Sequence, residues 1–128
     1  HITIETAGTI APQGIACDLA SLSPKLSNST PDDRLPASWK KRHERDRLQP
    51  AIIDQWLAGY DTQLKFVVAA EQDVEEIDSL LRELQNAVPP ERVLLMPEGV
   101  TVAQLRARTD FIVALCHERG FRFGSRFQ

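Results

Sequence analysis

The 128-residue chain predicts an α/β fold: a mostly parallel sheet with flanking helices, forming either about half of a (β/α) barrel or an open parallel sheet. Two observations predict it. The run Ile15 to Leu22 is almost continuously apolar, broken only by Asp18 and Ser21, as strands covered on both faces of a parallel sheet are. From Gln63 onward, short apolar runs alternate with segments of helical periodicity, and strand–helix–strand connections of that length make parallel pairs.

The elements follow in order. Ile2 to Thr6 alternates, is rich in β-branched residues and is ended by Gly8, which reads as a first strand. Ile15 to Leu22 is the second. Residues 27–49 are polar and then densely charged from Trp39 to Arg47, a long loop with a helical piece, and long loops in compact domains tend to be functional. Pro50 suits the first turn of a helix whose apolar face is Ile52, Ile53, Trp56 and Leu57 and whose natural stop is Gly59. Gln63 to Val68 is the third strand. Asp73 and Glu76 form a capping-box pattern before a helix with Val74, Ile77, Leu81, Leu84 and Val88 at helical spacing, ended by Pro89-Pro90. Val93 to Met96 is the fourth strand. Thr101 and Gln104 make a second capping box, opening a helix that buries Val102, Leu105, Ile112, Val113 and Cys116 and closes at Gly120. Phe121 to Phe123 starts a last strand. The whole chain, 1–128, reads as a single domain without internal repeats.

A chain of this length buries a real core, and 42% hydrophobic with 26% charged residues is ordinary for a soluble globular protein. A net charge of −3 leaves no basic footprint for nucleic acid. No apolar run approaches the roughly 20 residues that span a bilayer, so no membrane partner is expected. The chain starts inside strand sequence, with no basic n-region of a signal peptide and no initiator methionine, which suggests a fragment or a processed product. The two cysteines, Cys17 and Cys116, lack metal-like spacing and read as buried structural thiols in a reducing, cytoplasmic compartment.

Candidate function concentrates at strand ends, where α/β proteins hold ligands. Glu5-Thr6-Ala7-Gly8-Thr9 offers a carboxylate, hydroxyls and a permissive glycine, and Ser23-Pro24-Lys25 a hydroxyl and a cation. Together they describe a site for a polar, charged small molecule, although each alone is an ordinary turn. Lys65, inside an apolar strand, must reach the surface or pair with an acid, with Asp18 and Glu98 as candidates. Met96-Pro97-Glu98-Gly99 is another strand-end turn. Arg42-His43-Glu44 lies in a charge run, usually a solvated helix face, and His1 and His117 have no metal-site spacing. Asn28-Ser29-Thr30 is a glycosylation sequon in form only. The sequence contains no dinucleotide fingerprint, Walker loop or nucleophile elbow.

In combination these pieces are far more specific. Ile4-Glu5-Thr6-Ala7-Gly8-Thr9, Cys17-Asp18, Leu22-Ser23-Pro24-Lys25-Leu26, Arg42-His43-Glu44, Gln63-Leu64-Lys65-Phe66-Val67-Val68, Leu94-Leu95-Met96-Pro97-Glu98-Gly99 and Gly120-Phe121-Arg122-Phe123 resemble, in order, the C-terminal half of the 7-carboxy-7-deazaguanine synthase family. The resemblance implies the C-terminal part of a partial radical S-adenosylmethionine (β/α) barrel. It further implies a homodimeric lyase of queuosine and 7-deazapurine biosynthesis. Such enzymes convert the pterin substrate 6-carboxy-5,6,7,8-tetrahydropterin to 7-carboxy-7-deazaguanine with S-adenosylmethionine, a [4Fe–4S] cluster and Mg2+. By position, Thr6 would contact substrate, while Gly8, Ser23, Pro24, Lys25, Met96, Pro97, Glu98 and Gly99 would hold S-adenosylmethionine. Glu5 and Lys65 are possible second contacts.

The sequence departs from the family pattern in two ways. The three clustered cysteines that bind the iron–sulfur cluster are absent, since Cys17 and Cys116 cannot replace them. In the family that motif and the magnesium-binding threonine belong to an N-terminal half, which would be a partner or an upstream segment. This chain is therefore expected to be inactive alone, with no catalytic and no metal-binding residue of its own. The family's arginine-rich tail also has no counterpart after Ser125-Arg126-Phe127-Gln128. Two alternatives stay open: a non-catalytic α/β binding or assembly module, and an unrelated nucleotide-binding domain, which the missing phosphate loop argues against.

Overall fold

The computed structural model describes residues 2–26, 49–99 and 101–124. Five strands form one all-parallel sheet in sequential order: β1 (Thr3–Thr6), β2 (Leu19–Leu22), β3 (Thr62–Val68), β4 (Val93–Pro97) and β5 (Arg122–Phe123). Three α-helices accompany them among the described residues: α1 (Pro50–Gly59), α2 (Glu71–Glu83) and α3 (Val102–Arg119). Right-handed crossovers that always step the same way leave their helices on one face of the sheet. A sequential order with one helix layer is the topology of a barrel segment, whereas a doubly wound sheet reverses its order midway.

The register separates the faces. Ile4, Ala20 and Thr62 are cross-strand neighbours, as are Leu22, Leu64 and Val93, and Phe66, Leu95 and Phe123. This face packs against Ile53 and Trp56 of α1, Val74, Ile77 and Leu80 of α2, and Ile112 and Cys116 of α3 to form the core. The opposite face carries Glu5, Ser21 and Gln63 in one row, with Lys65 beside Leu94 and Arg122, and Val67 beside Met96. Apart from the buried Ser21, these side chains are half-buried or exposed, because no helix layer lies over them among the described residues.

Several boundaries shift, each for a local reason. The second strand begins at Leu19, not Ile15, because residues 7–18 must carry the chain back to the start of a parallel neighbour. Gln13 (φ 54°) and Gly14 (φ 75°) turn it, and Ile15 is left 44% exposed. Pairing starts where the Asp18 carboxylate accepts the Ile2 N–H at 2.5 Å. Gly59 does not act as a left-handed stop; α1 ends because Tyr60 is extended, its N–H donating to the Trp56 carbonyl. Asp73 caps α2 from its third position rather than preceding it, accepting from the Ala69 and Ala70 N–H groups at 2.7 and 3.0 Å. That helix stops at Glu83, well before Pro89. The Asp54 carboxylate of α1 takes the Gln85 and Asn86 N–H groups at 3.0–3.1 Å and so ties the next segment down. Thr101 and Gln104 do form the reciprocal capping box, and Gly120 closes α3 in the left-handed conformation. Val102 and Val113 of α3 are exposed rather than buried, since the buried side of the helix is formed by Leu105, Ile112 and Cys116. Cys17 is half-buried and Cys116 buried. The expected loop with a helical piece lies almost wholly outside the described residues.

Candidate functional site

Strand termination builds the site. Past the end of β2, the Ser23 N–H donates to the Thr6 carbonyl at 2.7 Å, extending the ladder by one residue. Pro24 has no N–H to continue it, so the chain leaves the sheet there. Past β4, the Glu98 N–H donates to the Val68 carbonyl at 2.9 Å. Ser23 and Glu98 are thus each fixed by backbone to a neighbouring strand's end.

Between them lies a cavity of about 220 Å³. Ser23, Pro24 and Lys25 line it from β2, Lys65 and Val67 from β3, and Glu98 from β4, with Leu26 completing the wall. Five of the residues singled out in the sequence, Ser23, Pro24, Lys25, Lys65 and Glu98, therefore meet in one place. The volume is below the roughly 300–1,000 Å³ of complete small-molecule sites.

The charges are arranged differently from the sequence expectation. Lys65 pairs with neither Asp18 nor Glu98; it makes no ion pair among the described residues. Asp18 receives the Ile2 N–H at the other end of the sheet. Glu98 is taken by Arg108 of α3, whose Nη1 lies 2.5 Å from Oε2 and also donates to the Glu98 carbonyl. Arg108 gives no signal in the sequence, where an arginine on a helix's polar face reads as solvated.

The remaining predicted residues lie outside this lining. Thr6 and Gly8 occupy the adjacent end of β1, where Thr6 Oγ1 accepts the Gly8 N–H at 3.3 Å. Gly8 is buried with φ +76°, and a Cβ there would stand 3.3 Å from Ile53 Cγ1, so the turn and its packing on α1 already require glycine. Glu5 is exposed on the open face beside Ser21, whose Oγ accepts from Gln63 Nε2 at 3.0 Å. Met96 sits on the open face across from Val67, while Pro97 is buried beside Val68. Gly99 lets α3 approach: a Cβ would meet Gln104 Cβ at 3.1 Å and Leu105 Cδ2 at 3.3 Å. Arg42-His43-Glu44 lies outside the described residues.

Two aromatic residues, unremarked as site elements in the sequence, hold the connection after β1. Trp56 Nε1 donates to the Ile10 carbonyl at 2.9 Å, and the Tyr60 hydroxyl donates to the Ile15 carbonyl. Their ring centroids are 5.2 Å apart. A buried indole needs an acceptor, and that requirement was the available clue. Among the described residues no group of three His, Cys, Asp or Glu is placed to hold a metal ion. No helix is long and apolar enough to cross a membrane.

Comparison with known proteins gives two strong similarities. The chain is 43% identical over 134 residues to the 7-carboxy-7-deazaguanine synthase of Halobacterium salinarum, covering 98% of this chain and 52% of that protein. It is 41% identical over 129 residues to the 7-carboxy-7-deazaguanine synthase of Rhodopirellula baltica, covering 100% of this chain and 49% of the relative. The chain thus spans about half the length of the curated relatives it matches. No protein-family model matches the chain. No solved structure matches it.

Proposed function

Because the chain belongs to the 7-carboxy-7-deazaguanine synthase family, we propose that it is the C-terminal part of such an enzyme and carries a portion of its S-adenosylmethionine site. The observation that carries this reading is the strand-end cavity, which gathers Ser23, Pro24, Lys25 and Glu98 from separate segments. S-adenosylmethionine presents a carboxylate, an ammonium, a sulfonium and ribose hydroxyls. Hydroxyl, cation and carboxylate partners converging from several strand ends suit that set. Thr6 and Gly8 at the adjacent end of β1, and the Met96–Gly99 turn, border the same region in this reading, with Thr6 toward the pterin.

In a complete enzyme of this family, S-adenosylmethionine, a [4Fe–4S] cluster and Mg2+ would supply the radical chemistry that converts 6-carboxy-5,6,7,8-tetrahydropterin to 7-carboxy-7-deazaguanine. The residues present here do not fit the cluster. Three thiolates are needed, and the chain has two cysteines, one of them packed in the core between α3 and the sheet. In this reading the thiolate ligands of the cluster, and the magnesium site with them, would come from the other half of the enzyme, as a further segment or a second chain, and a homodimer of the complete protein is part of the proposal. What this chain contributes is binding and orientation: a backbone-fixed Ser23, cations at Lys25 and Lys65, and a Glu98 carboxylate held by Arg108.

The test is reconstitution. The purified chain is mixed anaerobically with the cysteine-bearing part of a relative, S-adenosylmethionine, reductant and substrate, and 7-carboxy-7-deazaguanine is sought by mass spectrometry. Turnover only in the mixture supports the reading; stable association without turnover or S-adenosylmethionine binding supports a non-catalytic assembly module.

A further inference from the structure

The cavity holds two lysines and one carboxylate, and the carboxylate is already neutralised. Arg108 engages Glu98 through both its side chain and its carbonyl, fixing the acid at the cavity wall while cancelling its charge. Lys65 is half-buried in the middle of the sheet's open face, with Val67 beside it in the lining, and makes no ion pair among the described residues. An ammonium in such a setting, with Leu94 as its cross-strand neighbour, is a strong partner for an anionic group that enters the cavity.

We infer that Lys65 binds a carboxylate of the ligand, and that Arg108 is a positioning residue that keeps Glu98 from competing for Lys65. The inference rests on the proposed S-adenosylmethionine site. Within that reading two ligand carboxylates are available: the amino-acid carboxylate of S-adenosylmethionine and the carboxylate on the pterin ring. Both have the same chemistry, a planar anion accepting charge-assisted hydrogen bonds.

The experiment measures binding of matched ligand pairs to the 128-residue chain: S-adenosylmethionine against its decarboxylated form, and 6-carboxypterin against pterin. Wild type favours the carboxylated member of one pair by about tenfold or more, the size of one charge-assisted contact, and that pair identifies the source. Lys65→Met removes most of this preference, Lys65→Arg keeps it, and Arg108→Met narrows it by freeing Glu98. Loss of a merely structural contact would weaken both members of a pair alike and leave their ratio unchanged. If S-adenosylmethionine binds but Lys65→Met leaves every ratio at its wild-type value, the assignment of Lys65 is wrong. If neither S-adenosylmethionine nor the pterins bind at all, the proposed site itself fails, and the inference with it.

Discussion

Arg108 Nη1 stands 2.5 Å from Glu98 Oε2 and donates as well to the Glu98 carbonyl, so a single guanidinium joins α3 to the turn that ends β4. Arg108 and Glu98 have 28% and 45% of their side-chain surface exposed, so water screens the pair. Arg108→Met should therefore lower stability by only about 1 kcal/mol. Urea denaturation of wild type and variant checks this.

Trp56 ties α1 to the connection after β1 while being 2% exposed. Trp56→Phe keeps an aromatic ring but leaves the Ile10 carbonyl without its donor, a loss of about 1 kcal/mol, whereas Trp56→Ala opens a cavity and costs roughly 3–5 kcal/mol. Thermal unfolding followed by circular dichroism should rank wild type, Phe and Ala in that order.

Gly8 adopts φ +76° within 3.3 Å of an Ile53 methylene, measured from the position a Cβ would take. Gly8→Ala should cost about 1–2 kcal/mol from the left-handed backbone alone. Gly14 has nearly the same φ, but nothing lies within 4 Å of its added Cβ, so Gly14→Ala isolates the backbone contribution. The Gly8 variant should be the less stable of the two in denaturant titrations.

Burial pulls the Asp54 carboxyl upward, but hydrogen bonds from the Gln85 and Asn86 N–H groups and the Asn86 side chain outweigh it and hold it below its ordinary value. A carboxyl lowered in the folded state stabilises the fold above its unfolded pKa, and that stabilisation disappears as pH falls through the folded pKa. Asp54→Ala should thus destabilise the protein by roughly 1 kcal/mol at neutral pH and by progressively less in acid. Stability curves for both proteins from pH 7 down to about pH 3 should converge.

Burial pushes the Cys116 thiol up, despite an opposing backbone contact from Leu95, and its Sγ lies 3.5 Å from the Arg122 carbonyl. Little thiolate is available there, and access is closed. Iodoacetamide followed by mass spectrometry should label the half-buried Cys17 first, with Cys116 reacting only on unfolding.

The parallel sheet and its helices were legible because apolar runs and capping residues act locally. The Thr101–Gln104 box and Gly120 decide the ends of α3 within a few residues of themselves. What escaped was set by distant partners. Ile15 and Cys17 are apolar enough for a strand, yet the return path from β1 uses them as a connection. The early end of α2 depends on Asp54, some thirty residues away in sequence. At the site, Ser23-Pro24-Lys25 and Glu98 were visible as strand-end residues and Lys65 as a cation inside an apolar strand, and the fold gathers them. The partner of Glu98 was not visible, because Arg108 meets it only when α3 packs back beside the strand. Gly8 and Gly99 also answer to close packing on Ile53, Gln104 and Leu105, a demand that only the folded chain reveals.

The most direct measurement is calorimetric titration of the chain with S-adenosylmethionine, comparing wild type with Lys25→Ala. The account predicts saturable binding that the substitution weakens by about fivefold or more, the effect of losing one charged contact at the cavity wall. Binding of equal strength in both proteins, or none in either, would contradict the claim that the cavity between Ser23 and Glu98 forms part of the cofactor site.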